Sequence, residues 1–98
     1  MYSVDLTKRA RKDLKLLKES DCYERAIELF KIMEQNPYQT PPGFKKLSGD
    51  LKGYYSRRIN GQHRIVYDIL PNSEKLRDKF GEIYQGIVRV ISMWTHYE

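Results

Sequence analysis

The sequence predicts an α+β fold, in which a short N-terminal strand and a helical hairpin pack on a twisted, mainly antiparallel sheet. Two observations carry this expectation. The first half holds two successive stretches with apolar residues at helical spacing, joined by a break so short that the helices must fold back on each other. The second half holds an Asn-Gly dipeptide between two β-prone stretches, followed near the C-terminus by a run of β-branched residues. A chain of 98 residues suffices for one core, so residues 1–98 are read as a single domain.

Tyr2 to Leu6 alternate weakly and lead into Thr7, a side chain suited to cap a helix. The first helix is expected from Lys8 to about Glu19, with Ala10, Leu14 and Leu17 on its packed face. Lys8, Arg9, Arg11, Lys12, Lys15 and Lys18 occupy the rest, which a solvated helix surface explains as well as a nucleic-acid contact does. Ser20 and Asp21 can cap a second helix, and Glu24, three residues after Asp21, completes a capping-box pattern. That helix should bury Cys22, Ala26, Leu29 and Met33 and stop after Asn36, where Pro37 follows.

From Asn36 to Gly53, prolines, glycines and lysines punctuate the chain, and an extended connection without elements is expected. Tyr54 to Ile59 and Gln62 to Leu70 then form a hairpin about Asn60-Gly61. A two-residue turn would set Arg64 opposite Arg57, and a three-residue loop would set it opposite Arg58. Pro71 to Glu82 reads as a long turn or a brief helix. Ile83 to Trp94 reads as a central strand covered on both faces.

Eighteen Lys and Arg against 13 Asp and Glu give a formal net charge of +5, which favours polyanionic partners, although the same charge also keeps a small domain soluble. The single cysteine, Cys22, excludes a disulfide framework or multi-cysteine metal site within the chain and suits a reducing compartment. No leader-like or membrane-spanning apolar run is present, so a cytoplasmic location without membrane association is expected.

The segment from Gly53 to Tyr67, GYYSRRINGQHRIVY, together with the terminal His96-Tyr97, resembles the signature of YoeB/Txe toxins in the RelE/ParE superfamily. The order of elements is similar to that family along most of the chain, and the likeness is broken by Pro71 to Glu82, a longer connection than the family's. The resemblance implies a RelE-like, or microbial-ribonuclease-like, fold and the toxin of a type II toxin–antitoxin system. It implies an endoribonuclease that cuts messenger RNA in the ribosomal A site and inhibits translation. A YefM-like antitoxin would neutralise it, and operator DNA would be bound only through the antitoxin complex.

Such chemistry needs no cofactor and no metal ion. The substrate's 2′-hydroxyl is the nucleophile, and the protein supplies a base, an acid and charge stabilisation for the phosphorane. By resemblance, His96 is the general acid, since an imidazole, whose unperturbed pKa is roughly 6.5, exchanges protons at cytoplasmic pH, and Arg64 stabilises the transition state through its planar guanidinium. Tyr97 is the expected stacking or hydrogen-bonding partner in the catalytic set, and Arg58, Lys45 and Lys46 are the candidate phosphate- or RNA-binding residues. Strand alternation puts His63 on the face opposite Arg64, in a structural role. Tyr54, Tyr55, Tyr67 and Trp94 can stack on bases, but most are expected to pack. Cys22 is expected to be a buried small residue.

The family's loop glutamate is replaced here by Lys45, and no acidic residue lies between Glu34 and Asp50. The base is therefore open among Lys45, Lys46, Asp50 and Glu98. Two other readings fit the same fold. One is a ParE-like gyrase-inhibiting toxin, indifferent to His96→Gln. The other is a degenerate toxin that only binds its antitoxin and co-represses its operon, identified by absence of growth arrest.

Overall fold

The computed structural model describes residues 1–93. Its elements in chain order are β1 (Ser3–Leu6), α1 (Lys8–Lys18), α2 (Tyr23–Gln35), β2 (Lys45–Lys46), β3 (Tyr55–Arg58), β4 (Arg64–Leu70) and β5 (Ile87–Ser92). The strands form one sheet in the order β1-β5-β4-β3-β2, with β1 parallel to β5 and every other pair antiparallel. The architecture is the α+β arrangement expected, with both helices packed on the sheet.

Thr7 joins β1 to α1 and performs two tasks with one hydroxyl. Its Oγ1 accepts from the Ala10 N–H at 3.1 Å, capping the helix, and donates to the Ile91 carbonyl at 3.0 Å, tying the cap to β5. The packed face of α1 carries Ala10 and Leu17, both fully buried, and α2 buries Ala26, Leu29 and Met33 completely. These meet Ile65 and Tyr67 of β4 and Val88 and Val90 of β5 in one core. Full burial of a leucine such as Leu17 or Leu29 contributes roughly 1.5–3 kcal/mol, so these two helical stripes fix which sheet face is covered.

Several expected details differ. Asp21 does not cap α2, because Ser20 closes the break. Its Oγ donates to the Leu17 carbonyl at 2.9 Å and accepts from the Cys22 N–H at 3.3 Å, so the helix begins at Tyr23, with Glu24 too early for a capping box. The connection from Asn36 to Gly53 is not featureless: Lys45–Lys46 pairs with β3 as an edge strand, and Gly49–Leu51 forms a 3-10 turn.

The hairpin takes the three-residue alternative. The Ile59 N–H donates to the His63 carbonyl, and the Asn60 side-chain oxygen accepts from the N–H groups of both Gln62 and His63, which stabilises the longer loop over a tight Asn-Gly turn. Arg64 therefore stands opposite Arg58. Residues 71–86 hold turns and one bridge, Arg77 to Ile83, in place of a helix, and β5 starts only at Ile87. Gly86 sets that start, since a Cβ there would lie 3.0 Å from the Tyr2 ring and 3.1 Å from the Leu70 carbonyl oxygen. Within β5, Val88 and Val90 are buried while Ile87, Arg89 and Ile91 are only partly so. The strand is interior in the sheet but fully covered on one face alone.

Among the described residues no helix is long and apolar enough to cross a membrane.

Candidate functional site

The face of the sheet away from the helices carries the charge. Strand alternation sends Tyr55, Arg57, Ile65 and Tyr67 toward the helices and Ser56, Arg58, Arg64 and Val66 to the other side. On that open side, Arg58 and Arg64 face each other across β3 and β4, and Lys45 of β2 pairs with Ser56. Like charges directly opposite are destabilising unless something of opposite sign lies between them.

These residues line a cleft of about 240 Å³ together with Gly43, Phe44 and Ser56. It continues into a second hollow of about 300 Å³, lined by Lys45, Leu47, Ser48, Leu51, Ser56 and Arg64. The Arg64 guanidinium is held by the Ser56 hydroxyl, its Nη1 donating to Oγ at 3.1 Å, and Ser56 itself is buried. Arg64 is thus steered by a neighbour, whereas Arg58 and Lys45 are exposed. Three cationic side chains and no carboxylate line the first part of the cleft, an arrangement whose charge is complementary to a phosphate group.

Lys46 is placed differently from Lys45. Opposite Tyr55, it belongs by alternation to the other side of the edge strand and is absent from the cleft wall. Asp50 lies exposed in the 3-10 turn and lines neither hollow. His63 is buried, and strand alternation puts it on the side away from Arg64. Tyr55 and Tyr67 stack on each other at 5.6 Å on the covered side, so neither faces the cleft. His96 and Tyr97 lie outside the described residues, as do Trp94 and Glu98.

Two residues that alternation and charge did not single out dominate the surroundings. Arg57 is completely buried, yet forms no ion pair among the described residues. Its Nε donates to the Tyr67 hydroxyl at 3.1 Å, Nη1 to the Pro42 carbonyl at 2.8 Å, and Nη2 to the carbonyls of Pro37 and Gln39 at 2.9 Å each. The guanidinium also lies 5.1 Å from the centre of the Phe44 ring. Burial holds the Tyr67 phenol above its ordinary pKa, with the adjacent positive charge and hydrogen bond of Arg57 acting in the opposite direction. The second residue is Asp13 on α1, a buried carboxylate that accepts from the Met93 N–H at 3.0 Å, just past β5. An arginine inside a run of charges and an aspartate inside a basic helix look like surface residues until the fold places them.

Farther along the open face, Arg89 forms a two-pronged ion pair with Asp68, one arm of 3.1 Å, which raises the arginine's already high pKa. This arginine is neutralised, unlike those of the cleft.

Residues 6–97 match the model of the YoeB-like toxin of bacterial type II toxin–antitoxin systems. The chain is 39% identical to the Toxin YoeB of Synechocystis over 57 residues, covering 58% of this chain and 59% of that toxin. In fold it is similar to a YoeB/ParE toxin from Agrobacterium tumefaciens, with a TM-score of 0.77, 24% identity and coverage of 97% and 99% of the two chains. It is also similar to a chain of the heterotetrameric YoeB-YefM toxin–antitoxin complex from Staphylococcus aureus, with a TM-score of 0.69, 27% identity and 99% coverage of both. The chain belongs to the YoeB-like toxins of bacterial type II toxin–antitoxin systems.

Proposed function

We propose that the chain is a ribosome-associated, metal-independent endoribonuclease that cuts messenger RNA and so inhibits translation. The observation that carries this reading is the cleft in which Lys45, Arg58 and Arg64 converge without a carboxylate. A single phosphodiester in that cleft would meet two guanidinium groups that otherwise repel each other, so binding relieves repulsion as it forms charge-assisted bonds.

In the proposed reaction the 2′-oxygen of the substrate attacks the adjacent phosphorus and passes its proton to the general base, for which Lys45, Lys46, Asp50 and Glu98 are the candidates; the bond from phosphorus to the 5′-oxygen breaks, and His96 delivers a proton to that oxygen. The products carry a 2′,3′-cyclic phosphate and a 5′-hydroxyl. Arg64, oriented by Ser56, stabilises the charge that builds on the non-bridging oxygens. Arg58 and Lys45 hold the scissile and neighbouring phosphates. Tyr97 is assigned beside His96, and Lys46 contributes to the field around the edge strand without entering the cleft.

The proposed partners are a YefM-like antitoxin, as in the Staphylococcus aureus complex, the ribosome with its message, and operator DNA through the antitoxin complex. The proposed location is the cytoplasm. Cleavage of a translated message by the wild type and by His96→Gln, with and without ribosomes, tests the reading. Cutting by the wild type with ribosomes and its loss in the variant support it; no cutting by the wild type contradicts it.

A further inference from the structure

Burying a guanidinium without a carboxylate partner is costly, and an apolar side chain would fill the space without that cost. Four of the five N–H directions of Arg57 are used, and three of the four bonds go to backbone carbonyls of one loop, at Pro37, Gln39 and Pro42. The next three residues, Gly43, Phe44 and Lys45, form one wall of the cleft. The opposite neighbours of Arg57 along its own strand, Ser56 and Arg58, line the same cleft. Strand β3 therefore presents two residues to the site on one side and, on the other, grips the loop that carries the rest of the wall.

We infer that Arg57 is a positioning residue: through the carbonyls of Pro37, Gln39 and Pro42 it sets Lys45 at its place over the phosphate seat. The planar fork is essential to this role. A lysine ammonium is a compact point charge and cannot span three carbonyls and a phenol at once. Tyr67 completes the grip from below by accepting the Nε–H, and Phe44 covers the guanidinium plane. The kinetic part of this inference rests on the ribonuclease reading, while the loop contact does not.

The test is a double-mutant cycle between Arg57→Lys and Lys45→Ala, read on ribosome-dependent cleavage and on binding of an uncuttable 2′-O-methyl RNA oligonucleotide. Amide hydrogen exchange is followed in parallel. Arg57→Lys is expected to lower cleavage by about 10- to 100-fold and to speed exchange over residues 39–46 about tenfold, with β4 and β5 unchanged. In the Lys45→Ala background most of its effect on binding and cleavage should vanish, a coupling that general loosening of the fold would not produce. Should Arg57→Lys fail to fold, Tyr67→Phe removes one contact of the same clamp and should show the same pattern more weakly. Additive losses in the cycle, or unchanged exchange over 39–46, overturn the inference. A wild type that binds the oligonucleotide but cuts nothing overturns the ribonuclease reading, and the binding cycle then still decides the role of Arg57.

Discussion

Arg58 and Arg64 stand directly opposite each other on antiparallel strands, two like charges on one rung of the open sheet face. Cross-strand pairs of this kind are worth a few tenths of a kcal/mol to about 1 kcal/mol against folding. Replacing Arg58 with Gln should leave stability unchanged or raise it by up to about 0.5 kcal/mol, while weakening cleavage. Urea unfolding read beside single-turnover cleavage checks this. A large loss of stability would show that Arg58 serves the fold.

Arg64 differs because Ser56 fixes it. Arg64→Ala should reduce cleavage by about 100-fold or more and leave antitoxin binding within a few-fold. Ser56→Ala, which frees the guanidinium without removing it, should give a smaller loss of the same kind. Titration calorimetry with the antitoxin, alongside cleavage, separates these outcomes from misfolding.

The two adjacent lysines of the edge strand should behave unequally. Lys45→Ala should reduce the slope of log affinity for RNA against log salt by about 1, as loss of one phosphate contact requires. Lys46→Ala, on the other side of the strand, should change the slope less. Equal effects would mean that the cleft is not the RNA seat.

Tyr67 ties stability to alkaline pH. Its folded-state pKa is raised, so its contribution is fully present below the unfolded value of roughly 10 and is lost as pH rises from there toward the folded value. Tyr67→Phe should cost about 1–3 kcal/mol at neutral pH through the lost bond to Arg57. The gap between variant and wild type should narrow above about pH 10. Denaturant midpoints at pH 7, 9 and 11 measure it; a constant gap would contradict the burial of the phenol.

Asp13→Ala should destabilise the protein by about 2 kcal/mol, because the Met93 N–H loses its buried acceptor. A urea midpoint within error of the wild type would show that water replaces the carboxylate there.

Much of this fold is legible in sequence because its signals are local. The stripe of Ala10 and Leu17, the stripe of Ala26, Leu29 and Met33, and the Thr7 cap each depend on residues within a few turns. The hairpin was legible in kind but not in register, since the bonds from Asn60 to Gln62 and His63 decide between two loop lengths of similar cost. Arg57 was not legible: its partners lie 15 to 20 residues upstream and 10 downstream, and they are mostly backbone carbonyls, which leave no pattern of side-chain types. Arg64 and Arg58 were found by resemblance, and the fold brings them into one cleft with Lys45 but leaves Lys46 outside it.

The most direct measurement is the chemistry of the cut ends. A message translated in the presence of the wild type should yield upstream fragments ending in a 2′,3′-cyclic phosphate or the 3′-phosphate derived from it, and downstream fragments beginning with a 5′-hydroxyl. The same ends should be nearly absent with Arg64→Ala. Fragments bearing a 5′-phosphate and a 3′-hydroxyl, or unchanged cutting by Arg64→Ala, would contradict attack by the 2′-hydroxyl in this cationic cleft.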